Sequence, residues 1–371
     1  MKKQPYPFRQ LLGRFIIILI IVTLIISCQA SAATEIEESA GATLMEPRES
    51  PEAAPPELPA TFQTSLLNPL DTPHTYVEET CRYLRNKWHP SNAEPGTVVM
   101  IIQVENINRG MTDQPGSIRV KEFTRFMEQL KAQGFEAITM KQFQAFMERN
   151  IKIPPRSALI IQDDNHDEEY LSKNYRKYWE DWGWTFVNGW VSDPEVPQTL
   201  VQENLELERE GFIDHQAQGV FPDTKLTNET AKNVIARELQ GSLDGFAGHF
   251  AKNPVAIIWP NGGFGIRPVE AARQLRFKLG FTENPRGPVM YNWVPLADVI
   301  DPNRPDYAPE GIINDPLMTL PRYSSGQVFD SIDIVRAIGK EAAAYAQSNK
   351  EIEHRYYEIV CSETYGPMPT P

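Results

Sequence analysis

The chain has 371 residues, with 49 acidic against 36 basic side chains and a formal net charge of −13. That length suffices for one large domain with a deep core plus a tail. The charge argues against a nucleic-acid footprint, which shows a basic face, and against adhesion to anionic lipid by charge alone. Seven Trp and thirteen Tyr suit a globular core and sugar stacking alike.

Lys2, Lys3, Arg9 and Arg14 flank or precede a run rich in Ile and Leu over 15–26. The run is short for a membrane span and has the length of a signal h-region. It ends Ile25-Ile26-Ser27-Cys28, which resembles the lipobox of bacterial lipoproteins. Residues 1–28 are therefore expected to be a lipoprotein signal peptide. Cys28 would carry the lipid, and the protein would be exported and held to the cell membrane or envelope through that anchor only. Residues 29–75 hold Glu35-Ile36-Glu37-Glu38 and the Pro- and Glu-rich run from Glu46 to Glu57. Such a stretch buries too little apolar surface to order itself, so a disordered acidic tether is expected there. Two further cysteines, Cys81 and Cys361, lie at opposite ends of the expected folded region. In an exported protein they either pair or stay as unrelated thiols.

The folded domain is expected over 76–330, with 331–371 as a helical closing segment. Residues 98–102 read as a buried strand. Phe123, Phe126, Met127 and Leu130 share one face of a helix over 119–133, which Gly134 stops. A strand over 135–140, a helix over 141–147 and a buried strand over 157–162 follow. Next come a helix over 175–182, a strand over 185–191, a helix over 200–209 and a strand over 212–216. Thr227 is placed to cap a helix reaching Phe246. A strand over 255–259, a helix over 268–279 closed by Gly280, and one or two helices over 332–361 complete the chain. Strands separated by helices of this length imply a parallel sheet or barrel. Three strand ends carry polar groups: Asp163-Asp164, His215 to Gln218, and Pro260-Asn261-Gly262. In a barrel, chemistry sits at the C-terminal ends of the strands.

The order of segments carries a resemblance. Val98 to Asn106 (Val-Val-Met-Ile-Ile-Gln-Val-Glu-Asn) looks like the first strand of the polysaccharide deacetylase (NodB-homology, carbohydrate esterase) family. Phe123, Leu130, Gly134-Phe135 and Ile138-Thr139-Met140 match its next helix and strand. Ala158 to Asn165 stands where the family has Thr-Phe-Asp-Asp-Gly, and Glu210 to Gly219 stands at its histidine motif. Ile257 to Gly262 resembles its Tyr-Pro-x-Gly turn, and Leu320-Pro321-Arg322 a late strand of some members. The match runs in unbroken order over about 97–325. It implies an α/β fold, a distorted parallel (β/α) barrel of the glycoside hydrolase/deacetylase type, as a single domain, in a divergent lipoprotein member.

The resemblance also implies residue roles. Asp163 maps to the general base that activates water, and Asp164 to the aspartate that binds a divalent metal with two histidines. Those histidines map to Gln218 and Pro222, neither of them an imidazole. Asn165 replaces the motif's glycine, no Leu-x-His motif has a counterpart, and Gln103 stands where many members carry His. His166, His215, Gln218, Trp259 and Asn261 are candidate substrate-binding residues. Core packing competes for Trp259 and Trp190, and a satisfied core or rim position for His215, whose offset from Gln218 points it to the opposite face of a strand. Arg322 is expected to bond carboxylates inside the barrel. Three readings follow. The first is a deacetylase-like relative that binds N-acetylated polysaccharide or peptidoglycan-type glycan, with no cofactor. The second is a polysaccharide deacetylase hydrolysing a carbon–nitrogen amide bond with Zn, Co or Ni, using Asp163 as base and Asp164 plus improvised ligands. The third is a glycosidase-like hydrolase working through carboxylates.

Overall fold

A computed structural model of the chain describes residues 54–110 and 116–370. The expected signal peptide, Cys28 and most of the expected tether lie outside those residues. The described residues form one compact unit.

The fold rests on strands screened from water on both faces, which have to be written as continuous apolar runs. Val98–Val104 (β1) is the clearest case, with all seven residues buried. Val98, Met100, Ile102 and Val104 face the surrounding helices. Val99 and Ile101 face inward, into a second apolar cluster that fills the barrel. The other parallel strands are Glu136–Ala137 (β2), Arg156–Gln162 (β3), Phe186–Trp190 (β4), Ile213–Ala217 (β5), Ala256–Ile258 (β6), Leu279–Phe281 (β7) and Tyr323–Ser324 (β8). β3 pairs β1 along its whole length. On its other side it forks: Ser157 and Ala158 pair β2, and Ile161 and Gln162 pair β4. The sheet continues through β5, β6 and β7. Leu320 bridges back to Phe281, and β8 pairs β1, so the chain from Leu320 to Ser324 closes the ring. The expected distorted parallel (β/α) barrel is the observed architecture.

Several expected boundaries move, each for a physical reason. The strand expected over 135–140 stops at Ala137. Thr139 is instead the N-cap of the helix Met140–Arg149, accepting from Gln142 N at 3.1 Å while Gln142 Oε1 accepts from Thr139 N at 2.9 Å. The helix expected to run to Leu279 is Ile266–Gln274, and Gly280 stands in a strand instead of ending a helix. A Cβ at Gly280 would lie 2.3 Å from Met318 O, so glycine is what lets the closing segment cross β7. Thr227 caps nothing; it sits in a turn, its hydroxyl donating to Glu229, and the next helix is Lys232–Phe250.

The chain from residue 54 to 75 is folded, where a disordered tether was expected. Phe62 packs on Trp293 and Tyr345, whose polar atoms donate to Phe62 O at 3.0 Å and Ala60 O at 2.8 Å. Asp71–His74 pairs antiparallel with Val294–Ala297. Its buried Asp71 accepts from Arg286 at 3.1 Å and Arg304 at 2.7 Å. These few anchors outweigh a composition that favours disorder. At the other end, the helix Val328–Tyr356 buries Val328, Ile332, Val335 and Ile338 against the outer face of the barrel. It runs on to Cys361, which is bonded to Cys81 with a Cα separation of 5.4 Å.

That bond closes a loop of 280 residues. Cys361→Ser is expected to lower the unfolding free energy by about 2–5 kcal/mol in urea titrations, and reduction of the parent protein to reproduce the shift. An unchanged midpoint would mean that packing around Leu84, Tyr357 and Met368 holds the two ends without the bond.

Candidate functional site

The barrel interior is apolar for most of its depth, filled by Ile101, Leu159, Ile161, Ile258 and Phe281 among others. At the C-terminal strand ends the inward positions turn polar. Gln103 and Glu105 come from the end of β1, Asp163 and Asp164 follow β3, Gln218 follows β5, Glu283 follows β7 and Arg322 precedes β8.

Asp163 is 3% exposed and Arg322 0%. The guanidinium meets the carboxylate with two parallel bonds, Nη1 to Oδ1 at 2.5 Å and Nη2 to Oδ2 at 3.1 Å. Arg322 Nε donates to Thr282 O at 2.7 Å, and Gln103 Nε2 donates to Asp163 Oδ2 at 3.0 Å. A fork-shaped, permanently charged donor suits such a buried carboxylate, and lysine would not replace it. Removing one partner of a buried pair leaves an uncompensated charge. Arg322→Met is therefore expected to cost about 3–5 kcal/mol of stability by denaturant titration, with part of the loss restored by adding Asp163→Asn. A loss below about 1 kcal/mol would mean that water screens Asp163 in the folded protein.

Asp164 takes a left-handed backbone conformation, with φ at 64°. Aspartate tolerates that region better than most side chains, and its peptide groups are held on both sides. Asn188 Nδ2 donates to Asp164 O at 2.8 Å, and Asp164 N donates to Gln218 Oε1 at 2.9 Å. The same carboxamide returns to the side chain, Gln218 Nε2 donating to Asp164 Oδ1 at 3.2 Å. Gly189 of β4 makes room for this reach, since a Cβ there would lie 2.1 Å from Gln218 Oε1. Burial, and then the neighbouring Asp163, push the Asp164 carboxyl up to about 6.

Glu105 and Glu283 complete the cluster. Gln103 Nε2 donates to Glu105 Oε1 at 3.2 Å. Burial, then Asp163 and Glu283, push Glu105 up to about 7; burial also raises Glu283, against the pull of Arg322. A proton that the folded state keeps longer than the unfolded chain stabilises the fold at low pH. That contribution is full below the ordinary glutamate range and is lost as pH rises through about 7. Glu105→Gln is thus expected to melt higher than the parent protein near pH 8 and to lose that advantage near pH 5. A difference independent of pH would remove the assigned origin of the shift.

The structure separates the residues expected at the site. Asp163, Asp164, Gln218 and Gln103 are brought together. His215 is not with them: it faces outward from β5 at 0% exposure. Its Nδ1 lies 2.9 Å from Glu208 Oε2, its Nε2 lies 2.9 Å from Asn204 Oδ1, and its ring stacks on Phe250. His166 follows the aspartates but turns back, its Nε2 3.1 Å from Asp163 O and its ring flat on Tyr170. Trp259 is fully buried and donates from Nε1 to Met318 O at 2.8 Å, and Trp190 is equally buried, so neither forms a stacking wall. Asn261 lies exposed on the rim. In the same turn, a Cβ at Gly262 would meet the Glu283 carboxylate at 2.8 Å.

Two acids went unread in the sequence. Glu105 follows an apolar run and carries the strand-end signal that singled out Asp163. Glu283 was hidden because β7 reads as the tail of a helix.

The residues present do not fit a divalent cation. Asp164 Oδ1 faces an amide N–H, Pro222 has no side-chain lone pair, and His166 and His215 are turned to other partners. Among the described residues no group of three or more His, Cys, Asp or Glu is arranged to hold a metal ion.

No family model matches the sequence, and no curated protein does. Among solved structures, the chain is similar to the Streptococcus pyogenes deacetylase PplD in complex with acetate, at 14% identity, with 64% of this chain and 99% of that one covered and a TM-score of 0.49. It is similar to a de-N-acetylase from Aggregatibacter actinomycetemcomitans at 12% identity, with 64% and 99% covered and a TM-score of 0.49. For IcaB from Ammonifex degensii the values are 11%, 65% and 98%, and 0.49. At such identities a likeness concerns the fold, and the chemistry is read from this chain's own residues.

Proposed function

We propose that this chain is an exported, lipid-anchored protein of the cell envelope whose barrel mouth binds N-acetylated glycan without metal-dependent deacetylation. One observation carries the reading: the Gln218 carboxamide closes on both the backbone and the carboxylate of Asp164. The ordered resemblance to polysaccharide deacetylases supports the placing of a glycan at this mouth. Under it, Gln218 stands where an imidazole would help to grip a cation, and it presents N–H where a cation would need a lone pair.

Cleaving an acetamide builds negative charge on oxygen, which something positive must meet. Arg322 is already spent on Asp163 and Thr282, and Lys225 lies toward Glu283. Asp163, with both oxygens accepting from Arg322 and Gln103, is a restrained base at best. The polar strand ends still offer fixed donors and acceptors, as a binding site needs. Residues 1–28 and the acidic stretch that follows supply the anchor and spacer in this reading.

The purified chain is expected to hold no stoichiometric Zn, Co or Ni by elemental analysis, and to release no acetate from N-acetylglucosamine oligomers. A bound metal lost on Asp164→Ala, or acetate release lost on Asp163→Ala, overturns the proposal.

A further inference from the structure

We infer that the site takes a glycan chain and not a single sugar, and that Phe221 on the rim of the mouth is the platform for a second pyranose ring. This rests on the reading of the mouth as a glycan site and adds a subsite to it.

A pyranose presents C–H groups on its faces and hydroxyls around its edge, so a rigid aromatic ring flanked by polar groups suits it. Trp190 and Trp259 are fully buried and offer no free face. Among the described residues Phe221 is the only exposed Phe, Tyr or Trp, at 36%. It follows Gln218 in the loop that leaves the C-terminal end of β5. That loop lies against the turn after β6: a Cβ at Gly219 would meet the Pro260 ring at 2.8 Å, and a Cβ at Gly263 would meet Lys225 Cγ at 2.4 Å. Asp223, two residues beyond Phe221, is among the charges that raise the Asp164 carboxyl.

The loop holds the ring still. Glu238, on the helix Lys232–Phe250, is 0% exposed, and its Oε2 accepts from Val220 N at 2.9 Å and Phe221 N at 3.0 Å. Its Oε1 accepts from the Thr224 hydroxyl at 3.3 Å. A buried carboxylate is costly unless its oxygens are filled, and here the segment that carries Phe221 fills them. The Arg237 guanidinium lies over the ring, 5.0 Å from its centre. Phe221 is thus pinned at its backbone, backed by a cation, and still open to solvent.

Single exposed apolar residues are ordinary on a protein surface. This one differs in its anchoring and its place, and its size selects the occupant. Phe221 is the only large apolar side chain of its loop that is exposed, and Asp223 and Lys225 beside it are exposed and charged. A protein partner or a lipid surface covers a far larger apolar patch than one ring supplies. One ring matches the face of one sugar, with Asp223 and Lys225 as partners for its hydroxyls. Phe221 is not among the groups that bond Asp163 and Asp164, so the sugar on it is a neighbour of the one in the mouth. Binding therefore depends on chain length.

The test is titration of the purified chain with N-acetylglucosamine and with its pentamer, for the parent protein and variants at Phe221. Phe221→Ala is expected to weaken the pentamer about tenfold and to leave the monosaccharide unchanged. Phe221→Leu, apolar without an aromatic face, is expected to lose most of the same affinity, and Phe221→Tyr to keep it. An unchanged pentamer affinity in Phe221→Ala overturns the inference and leaves the glycan reading standing. Equal weakening of monosaccharide and pentamer overturns it too, by placing the ring in the first sugar's site. Full pentamer affinity in Phe221→Leu, or a loss in Phe221→Tyr as large as that in Phe221→Ala, overturns the role of the aromatic face. Failure of the parent protein to bind either ligand sinks the inference and the glycan reading together.

Discussion

The Asp163–Arg322 pair is the interaction on which the mouth of the barrel depends. It ties the end of β3 to the segment that closes the ring, across 159 residues of chain. Two buried charges are tolerated only where each is nearly saturated with bonds, and here Thr282 and Gln103 supply the rest. Once Asp163 is committed in this way, every other group at the mouth is arranged around it. Gln103 is turned to it, Glu105 and Glu283 are crowded by its charge, and Asp164 is left to Gln218.

The resulting chemistry is one of acceptors. Carboxylates crowd the strand ends, and Asp164 Oδ1 has the Gln218 amide N–H as its partner. Gly189, which leaves the space that Gln218 occupies, belongs to the same arrangement.

The rest of the molecule keeps that mouth in place by closing the chain on itself. Phe62 lies along Trp293 and Tyr345, Asp71 is drawn into a buried network with Arg286 and Arg304, and Cys81 meets Cys361. β8 is two residues long and the β5–β6 contact is a single pair, so the ring has weak seams. Links between distant parts of the chain compensate for them.

Much of this was legible before any coordinates. Residues buried on both faces of a strand are apolar without interruption, so β1 and β3 announce themselves, and the polar residues that end them mark a site. Side-chain alternation places His215 and Gln218 on opposite faces, and the resemblance supplies the order of the segments. The anchors within 54–75 were not legible, because a few contacts by Phe62 and Asp71 override a composition that favours disorder. Nor was β7, where Gly280 reads as a helix stop although its role is to let another segment cross. By itself the sequence determined the run of strands and which of their ends are polar, since burial and alternation are local rules. Only the tertiary structure decided which polar group answers which: Arg322 to Asp163, Gln218 to Asp164, Glu105 to Gln103. Those pairings depend on where distant strand ends meet around a closed ring, and no local pattern encodes that distance.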